Sequence, residues 1–183
     1  MIFCITGMPG SGKSVVSEAA KSVGIKVVSM GDVIREEAEG RGIEKSPSSI
    51  GNLMLQLRNE EGKDAVAKRC LKKALGASPD SIIEGVRSLE ELDYFRSQAE
   101  VCLIAVHASP RTRFERLLKR GRSDDPKDWE TFRERDMREL KVGIGSVIAM
   151  ADKVFINEGS LPDLGEAVKE FFRGMKNASF RPG

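Results

Sequence analysis

The sequence predicts a three-layer α/β fold, a parallel sheet of about five strands with helices on both faces. Three observations carry this. Short apolar β-type runs alternate with helical patterns along the whole chain, which is the rhythm of a parallel sheet closed by crossover helices. A glycine-rich loop stands between the first strand and the first helix. The length of 183 residues, with 40% hydrophobic and 32% charged residues, suits one sizeable core. In chain order, the apolar run Ile2 to Thr6 is the first strand, and the helical pattern of Lys13 to Ser22 leads to a second strand, Lys26 to Ser29. Helical spacing over Asp32 to Gly40, Pro47 to Glu61 and Lys63 to Leu75 follows with no strand between. The apolar Ser81 to Glu84 is the third strand, Leu89 to Gln98 a helix, Val101 to His107 the fourth strand and Pro110 to Arg120 a helix. A polar, turn-rich stretch from Arg120 to Asp128 precedes a helix over Lys127 to Glu139. Lys153 to Ile156 is the fifth strand, Leu161 to Met175 the last helix, and Asn177 to Gly183 a frayed tail.

One domain over residues 1–183 is expected, with its core in 1–30, 81–119 and 140–175. The helices of 31–80 and the segment 120–139 interrupt the simple alternation. Both read as insertions over the carboxyl edge of the sheet, where doubly wound folds bind ligands.

Gly7, Met8, Pro9, Gly10, Ser11, Gly12, Lys13 and Ser14 match Gly-x-x-x-x-Gly-Lys-[Ser/Thr], with a strand before and the helix residue Val15 after. This is the P-loop in its required context. Glycines let the backbone curl until successive N–H groups face a phosphate, Lys13 adds a mobile positive charge, and Ser14 offers a hydroxyl to Mg²⁺. No Asn-Lys-x-Asp guanine motif is present. A net charge of +2 gives no global field toward nucleic acid or membrane. Cys4, Cys70 and Cys102 form no Cys-x-x-Cys pair and have only His107 as an imidazole neighbour. A reducing cytoplasm is therefore expected, and a zinc site is not. With no basic and apolar leader and no run of about 20 apolar residues, neither export nor membrane embedding is expected.

Three further segments resemble the nucleoside monophosphate kinases, adenylate kinase above all. The loop Gly7 to Ser14 is similar to that family's Gly-x-Pro-Gly-[Ala/Ser]-Gly-Lys, Ser29-Met-Gly-Asp-Val-Ile-Arg35 to its Ser-Thr-Gly-Asp-x-[Leu/Ile]-Arg, and Glu84-Gly-Val-Arg87 to its Asp-Gly-Phe-Pro-Arg. Arg122-Ser-Asp-Asp125 and Glu130-Thr-Phe-Arg-Glu-Arg135 resemble the segments flanking its lid. The resemblance implies a P-loop kinase with Mg-ATP as phosphoryl donor, an acceptor-binding insertion over 31–80 and a short lid over 120–139. It implies that Arg35 and Arg87 grip the acceptor's phosphate, while Arg120, Arg122 and Arg135 close on the transferred group and exclude water. Bidentate guanidinium geometry suits both tasks. Arg116 and Arg133 read as members of a solvated, salt-bridged helix pair with Glu115, Glu130 and Glu134. Glu84, ending an apolar strand, is placed to hold Mg²⁺ through water, beside Ser14. Ala151-Asp-Lys-Val-Phe-Ile-Asn-Glu-Gly-Ser160 resembles the dephospho-CoA kinase segment that passes near adenine, which would put Asn157 and Gly159 there. The combination resembles an archaeal family related to adenylate and dephospho-CoA kinases.

The misfits fall on the acceptor side. Glu84 replaces the usual Asp, the Gly-Val loop is one residue short, and Glu91 stands where adenylate kinases place an adenine-reading glutamine. An ionised carboxylate cannot donate a hydrogen bond, so Glu91 reads as a solvated helix residue, with guanine or another acceptor left open. A nucleoside monophosphate needs arginines and no base, whereas a ribose hydroxyl, as in dephospho-CoA, needs a carboxylate to take its proton, for which Asp32 is the candidate. The nucleoside monophosphate is the favoured small-molecule acceptor, with no membrane or nucleic acid partner. An ATP-dependent switch or assembly factor with weak ATPase activity and a protein partner is the alternative of another class.

Overall fold

The computed structural model describes residues 1–44, 46–75, 80–122 and 125–177. Five strands, β1 (Ile2–Thr6), β2 (Lys26–Ser29), β3 (Ser81–Glu84), β4 (Val101–His107) and β5 (Lys153–Ile156), form one parallel sheet in the order β2-β3-β1-β4-β5. Every strand has the bounds that its apolar run predicts. The helices among the described residues are α1 (Lys13–Ser22), α2 (Met30–Gly40), α3 (Pro47–Glu61), α4 (Ala65–Leu75), α5 (Leu89–Gln98), α6 (Pro110–Arg120), α7 (Trp129–Val142), α8 (Ile144–Ala149) and α9 (Leu161–Asn177).

Alternation along β1 and β4 divides the core in two. Ile2, Cys4, Ile83 and Leu103 face the layer of α2, α3, α4, α5 and α8, where Ile34, Leu57, Leu71 and Phe95 meet them. Phe3, Ile5, Ile82 and Ile104 face α1 and α9, against Val16, Val168 and Phe172. Both faces are dry over β1, β3 and β4, which is why those strands read as continuous apolar runs, while the edge strand β5 leaves Val154 and Ile156 exposed. The three cysteines are buried and unpaired. Burial pushes the thiols of Cys70 and Cys102 up to about 12 and that of Cys4 higher still, so they serve as small apolar packing groups.

Several boundaries differ from expectation for local reasons. α2 begins at Met30, directly after β2, because the Ser29 hydroxyl caps the Asp32 N–H. α4 starts at Ala65 rather than Lys63 and α9 runs on to Asn177. α7 starts at Trp129, capped by Asp128, and continues to Val142, where Gly143 at φ 114° ends it. α8 is an additional helix that the Gly-Ile-Gly sequence disguises as a turn. The expected tail beyond residue 177, residues 123–124 of the expected lid and residues 45 and 76–79 of the expected insertion lie outside the described residues. No helix among the described residues is long and apolar enough to cross a membrane.

The sheet order sends the chain from β1 leftward to β2 and later from β4 rightward to β5. The crevice at their carboxyl ends is the topological switch point. All five strands deliver their following loops to that edge.

Phe172, fully buried, meets Phe3 edge-on with ring centroids 5.1 Å apart and Phe171 at 5.3 Å. Phe172→Ala is expected to cost about 3–5 kcal/mol, read as a lowered urea midpoint with an unchanged slope.

Candidate functional site

The loop from Gly7 to Gly12 fills the crevice between β1 and β4, with its backbone held by neighbours on both sides. Gly7 (φ 146°) packs so tightly on the Val106 carbonyl that a Cβ would overlap it, and a Cβ on Gly12 (φ 104°) would overlap the Asn157 amide. Both positions demand glycine twice over, by backbone angle and by space. Within the loop, Ser11 N–H donates to the Met8 carbonyl at 3.1 Å, and the Lys13 ammonium donates to the carbonyls of Gly7 at 2.6 Å and Met8 at 3.1 Å. The Ser11 hydroxyl is buried with no hydrogen-bond partner among the described residues. Ser14, by contrast, is exposed at the start of α1. A curled loop, a buried hydroxyl awaiting an acceptor or donor, and a helix N-terminus fit the phosphates of a nucleotide.

Electrostatics gathers the predicted residues around Lys13. Burial lowers its ammonium to about 8; Arg87 adds repulsion, Glu84 and Glu139 oppose the shift, and Arg135 adds further repulsion. Residues from β3, its following loop and α7 therefore share one field with the phosphate loop. Glu84 accepts a hydrogen bond from Ser17 at 2.5 Å, one turn along α1 from Ser14, so the carboxylate is oriented beside the loop. Arg87 pairs through Nε with Glu139 of α7 at 3.0 Å, and the Glu139 Oε2 is buried with this ion pair in place of an aligned hydrogen bond.

Asp32 and Arg35 pair with each other across one turn of α2, and both remain at least half exposed. Glu91 corrects the sequence reading. It is completely buried, accepts from Arg58 Nη2 at 2.5 Å and from the Arg87 backbone N–H at 2.9 Å, and is therefore not a solvated helix residue. Its position as the third residue after the Ser88 cap turns it inward against α3.

Asn157 is buried behind the phosphate loop and donates to the Ser11 carbonyl at 2.8 Å. Arg116 also departs from expectation: instead of pairing with the lid glutamates, it donates to the Asn157 carbonyl at 2.9 Å, to Asn157 Oδ1 at 3.2 Å and to the Gly159 carbonyl at 3.1 Å. The loop after β5 is thereby tied both to the phosphate loop and to α6. Glu115 pairs with Arg111.

Over the expected lid, Asp125 gathers Arg120 at 2.5 Å and Arg135 at 3.5 Å, and accepts the Arg122 backbone N–H at 3.0 Å. The Arg120 guanidinium holds the Asp125 carboxyl below its ordinary range. Arg122 itself is exposed. Sequence reasoning missed Arg113 and Asp136: Arg113 is buried, forks onto both Asp136 oxygens at 2.8 and 2.6 Å, and donates to the Pro9 carbonyl at 3.2 Å. Its available signal was the i, i+3 spacing to Arg116 on a helix whose apolar stripe includes Leu117.

Residues 6–133 match the family described as AAA domain. The UPF0200 protein MJ1399 of Methanocaldococcus jannaschii is 51% identical over 166 residues, 89% of this chain and 84% of that protein. A UPF0200 protein of Thermococcus sibiricus is 50% identical over 167 residues, 88% of each chain. Among solved structures, TT1252 from Thermus thermophilus superposes with a TM-score of 0.61 at 21% identity, over 96% of this chain and 97% of that one. Shikimate kinase from Acinetobacter baumannii, solved with shikimate, superposes at 0.58 and 13% identity, over 96% and 93%. At these identities the likeness shows a shared three-layer kinase-like P-loop fold.

Gly12→Ala is expected to destabilise by more than about 1 kcal/mol, because the left-handed angle and the overlap with Asn157 act together. In a double-mutant cycle with Asn157→Ala, a favourable coupling of about 0.5–3 kcal/mol is expected, since the second change removes the overlap and leaves only the backbone strain.

Proposed function

The chain belongs to the AAA domain family and to the UPF0200 proteins, and from that premise we propose that it is a P-loop kinase that transfers the γ-phosphoryl group of Mg-ATP to a nucleoside monophosphate. The observation that carries the reading is the phosphate loop itself: glycines closed on by Val106 and Asn157, the Lys13 ammonium held in the curl by the Gly7 and Met8 carbonyls, and the buried Ser11 hydroxyl without a partner among the described residues. Two arginines from separate segments beside a P-loop lysine are what phosphoryl transfer requires, because its catalysis rests on positioning and on neutralising charge.

In this reading Gly7 to Val15 hold the nucleotide's phosphates through backbone N–H groups, and Lys13 turns from the Gly7 and Met8 carbonyls to bridge them. Ser14 and Glu84 hold Mg²⁺, Glu84 through water. Mg-ATP supplies the transferable group and a divalent charge. The loop of Asn157 and Gly159 runs along the base side, with the Asn157 side chain supporting the phosphate loop from behind. Arg35 and Arg87 grip the acceptor's phosphate, each exchanging a carboxylate for it: Asp32 releases Arg35 and Glu139 releases Arg87. Arg120, Arg122 and Arg135 neutralise the phosphoryl group in flight. The helices of residues 31–80 form the acceptor side, and 120–139 the lid. A phosphate acceptor attacks without losing a proton, so no general base is needed. Three buried, unpaired thiols support a reducing cytoplasm as the place of action.

Asp32 favours a second reading. Its exposed carboxylate at the head of α2 is able to take the proton of a sugar hydroxyl, as dephospho-CoA phosphorylation requires.

The deciding measurement is ³¹P NMR of the protein with Mg-ATP and, one at a time, AMP, GMP, CMP, UMP, dTMP and dephospho-CoA. A new diphosphate pair is expected with one monophosphate and none with Lys13→Ala, whose circular dichroism stays native. A 3′-phosphate on coenzyme A would transfer the assignment to the hydroxyl reading. Inorganic phosphate alone would make an ATP-dependent switch with a protein partner the better account. Arg35→Ala should raise the acceptor's KM and leave the Kd for Mg-ATP unchanged; equal loss of both would remove Arg35 from the acceptor site.

The lowered Lys13 sets a pH dependence. Phosphate binding favours the ammonium, so its acidity falls on binding and protons are taken up near and above pH 8. Affinity for Mg-ATP should be flat below about pH 8 and decline as pH rises toward 10. By titration calorimetry, Lys13→Arg should flatten the decline, because its guanidinium stays charged throughout.

A further inference from the structure

Arg113 is the most deeply buried cation among the described residues that bear on the site, with a side chain 4% exposed. Its Nε donates to the Ala108 carbonyl at 3.1 Å, and its Nη1 to Pro9 of the phosphate loop at 3.2 Å. Both terminal nitrogens fork onto Asp136 of α7, and its guanidinium lies 5.0 Å over the Phe132 ring of the same helix. One side chain of α6 thus connects the β4–α6 loop, the phosphate loop and α7. Asp136 is flanked by the two α7 residues that act on Lys13: Arg135 immediately before it and Glu139 one turn after.

We propose that Arg113 and Asp136 are positioning residues that hang α7 on the backbone of the phosphate loop, so that Arg135 and Glu139 are held in place before substrates arrive. This rests on the kinase reading for its catalytic consequence, but the attachment itself does not. Two further ties of this part of α7, Arg135 to Asp125 and Glu139 to Arg87, run through the very side chains whose placement is at issue. Phe132 is its one buried apolar residue, stacked with Phe114 and Trp129 near the helix start, while Met137 and Leu140 are exposed. A bidentate, desolvated pair fixes both the distance and the rotation of a helix, which an apolar contact alone does not. The P-loop carbonyl is part of the same fork, so a displacement of Pro9 is transmitted to Asp136 and from there to Arg135. The helix that the resemblance places in the lid is therefore held as a wall of the site.

Asp136→Asn keeps the shape and removes the charge. Expected are native circular dichroism, an unchanged Kd for Mg-ATP, a kcat lowered about 10-fold to 100-fold, and faster hydrogen exchange of the amides of residues 129–142. Combined with Arg135→Ala, the loss in kcat should be smaller than the product of the two single losses, because both changes act in part through the Arg135 guanidinium. If Asp136→Asn does not fold, Arg113→Met with Asp136→Leu restores an apolar contact without the pair and should show the same exchange and kcat changes. Unchanged exchange in residues 129–142 would overturn the attachment. Additive losses with Arg135→Ala would overturn positioning through Arg135. If the wild type transfers no phosphoryl group at all, the kinase reading fails, and the exchange measurement still decides the attachment.

Discussion

The phosphate loop keeps its shape because its backbone is approached so closely from behind. The Val106 carbonyl of β4 abuts Gly7, the Arg113 carbonyl of α6 abuts Gly10, and the Asn157 amide after β5 abuts Gly12. Each contact leaves no room for a side chain, so each glycine is set by a different element. This explains the sheet order physically. With β1 next to β4, and β4 next to β5, the loops that support the phosphate loop all arrive on one side, and α1 leaves on the other. Arg116 then fastens the β5 loop to α6, which makes the supports themselves one unit.

Such packing creates an electrostatic problem. A lysine drawn into a curled backbone loses hydration, and its ammonium is lowered to about 8. Two arginines nearby contribute to that lowering. The carboxylates Glu84 and Glu139 offset part of the cost, and each is anchored: Glu84 by Ser17, Glu139 by Arg87. A net charge of +2 for the whole chain conceals this local concentration, because arginines and carboxylates enter the site together.

The central strands β1, β3 and β4 were legible because both of their faces are dry. Continuous apolar runs bounded by turns cannot be placed otherwise, and the P-loop's spacing is set by its backbone geometry. The starts of α3, α5 and α6 agree with the sequence because Ser46, Ser88 and Ser109 each accept from the N–H three residues on. Partnerships across the fold were not legible. Arg113 and Arg116 stand three residues apart on one helix, yet one is buried on Asp136 and the other grips the loop after β5. Local spacing places both on similar faces and contains no information about α7 or β5. Glu91 failed for a related reason: an acid in the first helical turn reads as a favourable surface charge, and only the arrival of Arg58 from α3, 33 positions away in sequence, turns it into a buried anchor.

The buried Glu91 also bears on acceptor chemistry. A carboxylate that already accepts from Arg58 and from the Arg87 N–H has no free face with which to read a base, so base recognition has to come from other groups. What Glu91 does instead is fix the peptide of Arg87, while Glu139 fixes its guanidinium. An arginine left unpaired in such a partly buried place would carry a desolvation cost of several kcal/mol. Pairing removes that cost and holds the fork in a defined direction. Under the proposed function the same pairing would set a threshold, since a ligand must displace one carboxylate from Arg87, as a dianion can and a neutral molecule cannot. In the kinase reading, an acceptor side built this way would select by charge before shape, through its carboxylates as much as its arginines.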